Sequence, residues 1–229
     1  MRSSLWNAQG NVYLVVDAES LTPERVRALV EGADGILEVF RHGDDWVEIA
    51  IWNPDGSRAE MSGNGTRIAA KWLAARTGSQ DVGVRVGSRE VRAHIQKDGQ
   101  VEQELGAVSV GEPEEVDGIR LVAVDVGNPH AVIEGDPADL PQLGPVLEVH
   151  PRFPRRTNVQ VARVVEAGVI EARVWERGAG ETASSGTSAV AVAAALGVSP
   201  ATVRFPGGEL HVRIENGNAF LTGPAVEVG

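Results

Sequence analysis

VEIAIW (47–52) is followed, ten residues beyond Trp52, by SGNGTRIAAKWLAARTG (62–78), and IEARVW (170–175) is followed, ten residues beyond Trp175, by SGTSAVAVAAALG (185–197). Each pair reads as an apolar strand, a Gly-rich loop, and a Ser-Gly step that opens a helix. Other anchors keep the same order. Gln9-Gly10-Asn11 corresponds to Val126-Gly127-Asn128, Val84-Arg85-Val86 to Val203-Arg204-Phe205, and the hairpin turn at Gly99 to that at Gly217. From Gly10 to Gly127 the offset is 117, from Trp52 to Trp175 123, from Val84 to Val203 119 and from Gly99 to Gly217 118. Strands and glycine turns look alike anywhere, but several anchors in one order at nearly one offset point to an internal duplication. The expected fold is mixed α/β, two pseudo-symmetric lobes, each with strands wrapped around a central helix beginning near Gly63 or Gly186. A pseudo-two-fold axis would then place the active site in the cleft between the lobes. The lobes are expected over residues 1–118 and 119–214.

Working outward, Thr22-Pro23-Glu24 is a helix start, with a capping hydroxyl, Pro in the first turn and an early acid. Val26, Leu29 and Val30 share a face, and Gly32 can end the helix. Ile68, Trp72 and Leu73 form the apolar stripe of the next helix, which Gly78 stops. Residues 82–106 read as a meander of short strands, and the Pro-rich stretch 136–158 as irregular with a little helix. Nothing reads as a low-complexity linker.

With 229 residues the chain can build one large domain or two modest ones. Its 27 Gly and 12 Pro imply many turns. The net charge of −11 and the scatter of Lys and Arg argue against nucleic acid, which selects a positive face. No stretch of about 18 apolar residues occurs and the N-terminus lacks a signal-peptide pattern, so no membrane partner and a cytoplasmic location are expected. The absence of Cys excludes disulfides, thiolate–zinc sites and a thiol nucleophile. The five His residues (42, 94, 130, 150 and 211) show no metal-ligand spacing, so no metal is expected.

EMSGNGTRIAA (60–70) and ERGAGETASSGTSAVAVAAA (176–195) resemble the two signatures of the diaminopimelate epimerase family. Gly10-Asn11, Gly127-Asn128-Pro129-His130 and Phe153-Pro154 with Thr157-Asn158-Val159 match three further stations in that family's order. The resemblance covers essentially the whole chain. It implies a cofactor-independent isomerase of lysine biosynthesis that interconverts LL- and meso-diaminopimelate by two-base proton transfer at Cα. A small amino acid is the implied partner, a homodimer is compatible with the reading, and residues 215–229 are free to return to the first lobe. The family's catalytic cysteines fall at Ser62 and Ser185, and the segment around Ala33-Asp34-Gly35 is abbreviated.

By the resemblance Ser62 and Ser185 take the catalytic positions, and His130 lies near the first of them, where it orients or activates Ser62. Asn11, Asn64, Asn128 and Asn158, otherwise turn residues, become substrate contacts. So do Gly63, Gly65, Gly186 and Thr187 at the two helix starts, where free N–H groups and the helix dipole favour an anion. Glu176 meets the substrate ammonium, and Arg177, otherwise a surface ion-pair residue, clamps a distant carboxylate with its planar fork. A Ser before a helix is ordinarily a cap, and both roles can hold together. The serines leave three readings open. They are designed replacements of cysteine, natural residues activated by another group, or marks of a chain that has drifted to binding or to another reaction.

Overall fold

The structure is a computed structural model and describes residues 2–17, 20–59 and 61–228. Glu60, the first residue of one quoted signature, lies outside these. The chain divides into two compact units, Met1–Glu104 with Thr222–Gly229, and Leu105–Leu221.

In the first unit, β1 (Arg2–Ala8) and β2 (Asn11–Asp17) pair antiparallel through Gln9-Gly10, both at positive φ (59° and 85°). Two such residues give the turn twist that a tight hairpin requires. Thr22 caps α1 (Pro23–Leu29) by accepting from the Arg25 amide at 3.3 Å. β3 (Gly35–His42) runs parallel to β2 and antiparallel to β4 (Trp46–Trp52). The short β5 (Arg58–Ala59) folds back on β4 before α2 (Gly63–Thr77), which ends on Gly78 at φ 78°. β6 (Asp81–Val86) returns parallel to β4 and continues through β7 (Arg89–Ile95) into β8 (Val101–Ala107). The last short strand, Val226–Glu227, pairs with β1.

α2 is buried all round at Gly63–Ala70 and again at Trp72 and Leu73. The expected apolar stripe was therefore too narrow. Gly, Ala and Thr on its other faces let strands approach closely, as a central helix requires.

The second unit begins with the hairpin β9 (Ser109–Val116) and β10 (Ile119–Asp125), joined by Asp117-Gly118 at φ 49° and 80°. The sequence reading placed the lobe change at 118. Two consecutive positive-φ residues instead make that point a hairpin turn inside the second unit. β11 (Pro129–Glu134), a 3-10 turn (Pro137–Asp139) and α3 (Leu140–Glu148) follow. Then come β12 (Asn158–Glu166), β13 (Val169–Glu176), β14 (Gly180–Thr182), α4 (Gly186–Ala195), β15 (Ala201–Phe205), β16 (Gly208–Glu215) and β17 (Asn218–Gly223). α4 is buried throughout Gly186–Ala193.

The pairings recur in the same order in the two units. β10/β11 is antiparallel like β1/β2, β11/β12 parallel like β2/β3, β12/β13 antiparallel like β3/β4, and β13/β15 parallel like β4/β6. The register repeats as well. Val47 faces Val84 and Glu48 faces Arg85, while Ile170 faces Val203 and Glu171 faces Arg204. Even the ion pair across the preceding strands returns, Arg41–Glu48 at 2.7 Å and Arg163–Glu171 at 2.7 Å.

α3 packs against β13 through a contact that tolerates no added atom. A Cβ at Gly144 would lie 2.8 Å from both Cβ and Cγ of Trp175. Gly144→Ala is expected to cost about 1–3 kcal/mol by overpacking, despite the better helix propensity of Ala. Urea unfolding measures it, and an unchanged midpoint would contradict the packing.

Candidate active site

Ser62 and Ser185 precede α2 and α4 with nearly the same backbone, φ −144° ψ 119° and φ −148° ψ 128°. Both carbonyls accept the first helical bond, from Thr66 N at 2.9 Å and Ala189 N at 3.0 Å. The hydroxyls differ. Ser62 Oγ caps its helix by accepting from Gly65 N at 3.0 Å, and it lies 3.2 Å from the Tyr13 hydroxyl. Ser185 is buried, yet among the described residues its hydroxyl has no hydrogen-bond partner. The cap reading therefore holds for Ser62 and fails for Ser185. Its hydroxyl remains free for another group.

Around Ser62 the unit gathers Asn11, Tyr13, Asn64 and Arg67. Asn11 and Tyr13 are two residues apart on β2 and so share one strand face. Asn64 Nδ2 donates to Asn11 Oδ1. Asn64 Oδ1 accepts from Arg67 Nη2 at 2.5 Å. Arg67 is completely buried, and no carboxylate among the described residues pairs with it. Its other acceptors are the Gly63 carbonyl at 3.4 Å and the Pro224 carbonyl at 3.5 Å. Burial without a counter-ion pushes its pKa down to about 9, which still leaves it charged at neutral pH. Gly65 is confined too, since a Cβ there would lie 3.1 Å from Leu37 Cδ2 and 3.3 Å from Ser62 Cβ.

Around Ser185 the second unit gathers Asn128, His130, Gln160, Thr187 and Ser188. Gln160 Nε2 reaches both His130 Nδ1 and Ser188 Oγ at 3.0 Å, and His130 Nε2 lies 3.0 Å from Asn128 Oδ1. With the Gln160 amide donating to Nδ1, the ring proton sits on Nε2 and is donated to Asn128. Asn128 Nδ2 then reaches Thr187 Oγ1 at 3.4 Å. Desolvation lowers the His130 pKa to about 3, with the Arg177 charge adding to the shift. His130 is therefore neutral at neutral pH, and both its ring nitrogens are engaged within the second unit.

Glu176 closes β13 and accepts from Thr182 Oγ1 at 2.6 Å. Arg177 follows it. Its backbone N–H donates to Asn158 Oδ1 at 3.0 Å, its Nη1 donates to the Arg155 carbonyl at 3.2 Å, and Asn158 Nδ2 donates to the Pro129 carbonyl at 2.9 Å. Beneath this turn sits Glu148, buried at the end of α3. It accepts from Trp175 Nε1 at 2.7 Å, from Gly178 N at 2.7 Å and from Arg156.

Sequence reasoning missed Tyr13, Arg67, Glu148 and Gln160. Tyr13 stands at the offset of 117 from His130, so the repeat itself would have marked it as that residue's counterpart. Gln160 interrupts the apolar strand NVQVARV, a signal for a buried polar role. Glu148 lies in the stretch expected to be irregular.

The diaminopimelate epimerase family model matches residues 8–113 and 122–228. The diaminopimelate epimerase of Leptospira biflexa is 33% identical, with 96% of this chain and 94% of that protein covered. That of Azoarcus sp. is 34% identical, with 100% and 96% covered. The alignment to the Leptospira protein spans 262 positions, so this chain of 229 residues carries gaps against it. The chain belongs to the diaminopimelate epimerase family, whose members are isomerases. Solved structures share the fold at low identity. A predicted epimerase from Pseudomonas aeruginosa superposes with TM-score 0.80 at 16% identity, covering 100% of this chain and 97% of that one. A hydroxyproline epimerase from Agrobacterium vitis gives 0.74 at 16%, covering 99% and 90%. Among the described residues no helix is long and apolar enough to cross a membrane.

Proposed function

We propose that this chain binds diaminopimelate and inverts its configuration between the LL and meso forms without a cofactor, slowly, because Ser62 and Ser185 occupy the two proton-transfer positions. One observation carries the reading. Two serines stand at corresponding helix starts with nearly the same backbone conformation, one hydroxyl held by Tyr13 and Gly65, the other unclaimed. Stereoinversion needs one group to remove the α-proton and another to deliver a proton to the opposite face. The carbanion that forms between these steps is stabilised by fixed dipoles. The first N–H groups of α2 and α4, at Gly63, Asn64, Gly186 and Thr187, are of that kind.

A hydroxyl is a far weaker acid than a thiol, so neither serine is ionised near neutrality without strong activation. His130 does not supply it in this reading, because it is neutral with both nitrogens occupied. It holds Asn128 instead. Glu176 meets the ammonium group and Arg177 a carboxylate away from the reacting carbon, both on the turn that Glu148 holds.

Loss of the α-proton signal from LL-diaminopimelate in D2O, followed by NMR at high protein concentration, tests this. Slow exchange with formation of the meso form is the expected result. Binding with no exchange at all would make the protein a binding module. Absence of binding would shift the substrate to another amino acid.

A further inference from the structure

Arg67 lies behind the Ser62 loop and is given no part by the reaction above. Its chemistry nonetheless dictates the polarity of everything in front of it. A guanidinium has five N–H donors and no acceptor. The atom of Asn64 that faces Arg67, at 2.5 Å from Nη2, can therefore only be Oδ1. Asn64 Nδ2 is left pointing the other way and donates to Asn11, whose facing atom must in turn be Oδ1. Asn11 is then left with Nδ2 outward, and among the described residues that amide has no other partner. An asparagine alone is indifferent between offering N–H and C=O, but this one is not.

We propose that Arg67 is a positioning residue that acts through Asn64 to lock the Asn11 amide as a hydrogen-bond donor, so that the ligand group received there is an acceptor, a carboxylate. The proposal rests on the amino-acid substrate reading above and adds a selectivity to it. The second unit does not repeat the device. Asn128, the counterpart of Asn11, spends its oxygen on His130 and its amide on Thr187. The donor relay therefore belongs to the Ser62 side alone. The missing counter-ion fits the same purpose, because a carboxylate beside Arg67 would cancel the field that an anionic ligand experiences across the loop.

The discriminating variant is Asn64→Asp. It gains an ion pair with Arg67, so folding is retained. Its second oxygen cannot donate to Asn11, which must turn its amide inward and present Oδ1. Meso-diaminopimelate and its two monoamides are titrated by calorimetry. The wild-type protein is expected to bind the diacid at least about tenfold more tightly than one monoamide, and Asn64→Asp to close or reverse that gap. Arg67→Met, which frees the Asn64 amide to rotate, is expected to reduce the gap to within about threefold. Asn64→Asp retaining the wild-type preference would overturn the relay while leaving the proposed reaction intact. If wild-type protein binds none of the three ligands, the substrate reading falls instead, and the relay is judged without ligand. In protein labelled with 15N at Asn, the Asn11 side-chain protons must exchange with water more slowly in Asn64→Asp than in the wild type. Equal exchange overturns it.

Discussion

The doubly substituted protein, Ser62→Cys with Ser185→Cys, is expected to exchange the α-proton of diaminopimelate, and to invert it, at least two orders of magnitude faster than the parent chain. The magnitude follows from the size of general acid–base contributions, about 10²–10⁴-fold. It also follows from the acidity of a thiol, whose pKa of about 8.5 falls at a helix N-terminus. The surroundings are asymmetric in a way that assigns roles. A thiolate at position 62 would inherit the Gly65 N–H and the Tyr13 hydroxyl, the two groups now on Ser62 Oγ. A thiol at position 185 would inherit no such donors. The thiol introduced by Ser62→Cys is therefore expected to ionise at lower pH than the one introduced by Ser185→Cys, which the pH dependence of thiol alkylation in the two single variants measures. Each single variant is expected to support some exchange with little inversion, because inversion needs acid and base together. A double variant that binds diaminopimelate but exchanges no faster than the parent would mean that the serines do not stand at the proton-transfer positions.

The fold was legible because duplication doubles the signal. A lone strand followed by Ser-Gly is ambiguous, but two such runs at one offset fix strand, loop and helix together, and the helices begin at Gly63 and Gly186. What escaped the sequence was set by tertiary partners. Nothing in TRIAA says that Arg67 is buried, because an Arg on a helix ordinarily reaches solvent. Its burial depends on small residues around it and on the Pro224 carbonyl, 157 positions away. Glu148 was hidden in the same way, since its three donors come from Trp175, Gly178 and Arg156. The capping of Ser62 and the freedom of Ser185 follow from side-chain orientation, which two identical Ser-Gly steps cannot encode. The sequence motif thus located the reactive loops, while the groups that set the chemical character of those loops sit a layer behind and are read only in three dimensions.

His130 offers the second large effect. Its ring is buried with a pKa lowered to about 3 by desolvation, against 6.5 for the free side chain. Between these two values the unfolded chain takes up a proton that the folded chain refuses, so the native state loses stability as pH falls from 6.5 toward 3. Each pH unit in that window costs about 1.4 kcal/mol, which amounts to about 3 kcal/mol at pH 4.5 relative to neutrality. His130→Gln removes the titration. Its stability at pH 7 is expected to be lower, from lost ring packing, but its decline from pH 6.5 to 4.5 should be shallower than that of the parent by about 3 kcal/mol. Urea titrations at three or four pH values give both curves, and the other four His residues contribute equally to each. The readout is the difference in slope, so general destabilisation of the variant does not obscure it. Parallel curves would mean that the ring accepts a proton in the folded state. His130 would then be available near neutral pH as a base, and its assignment to holding Asn128 would have to be exchanged for one in proton transfer.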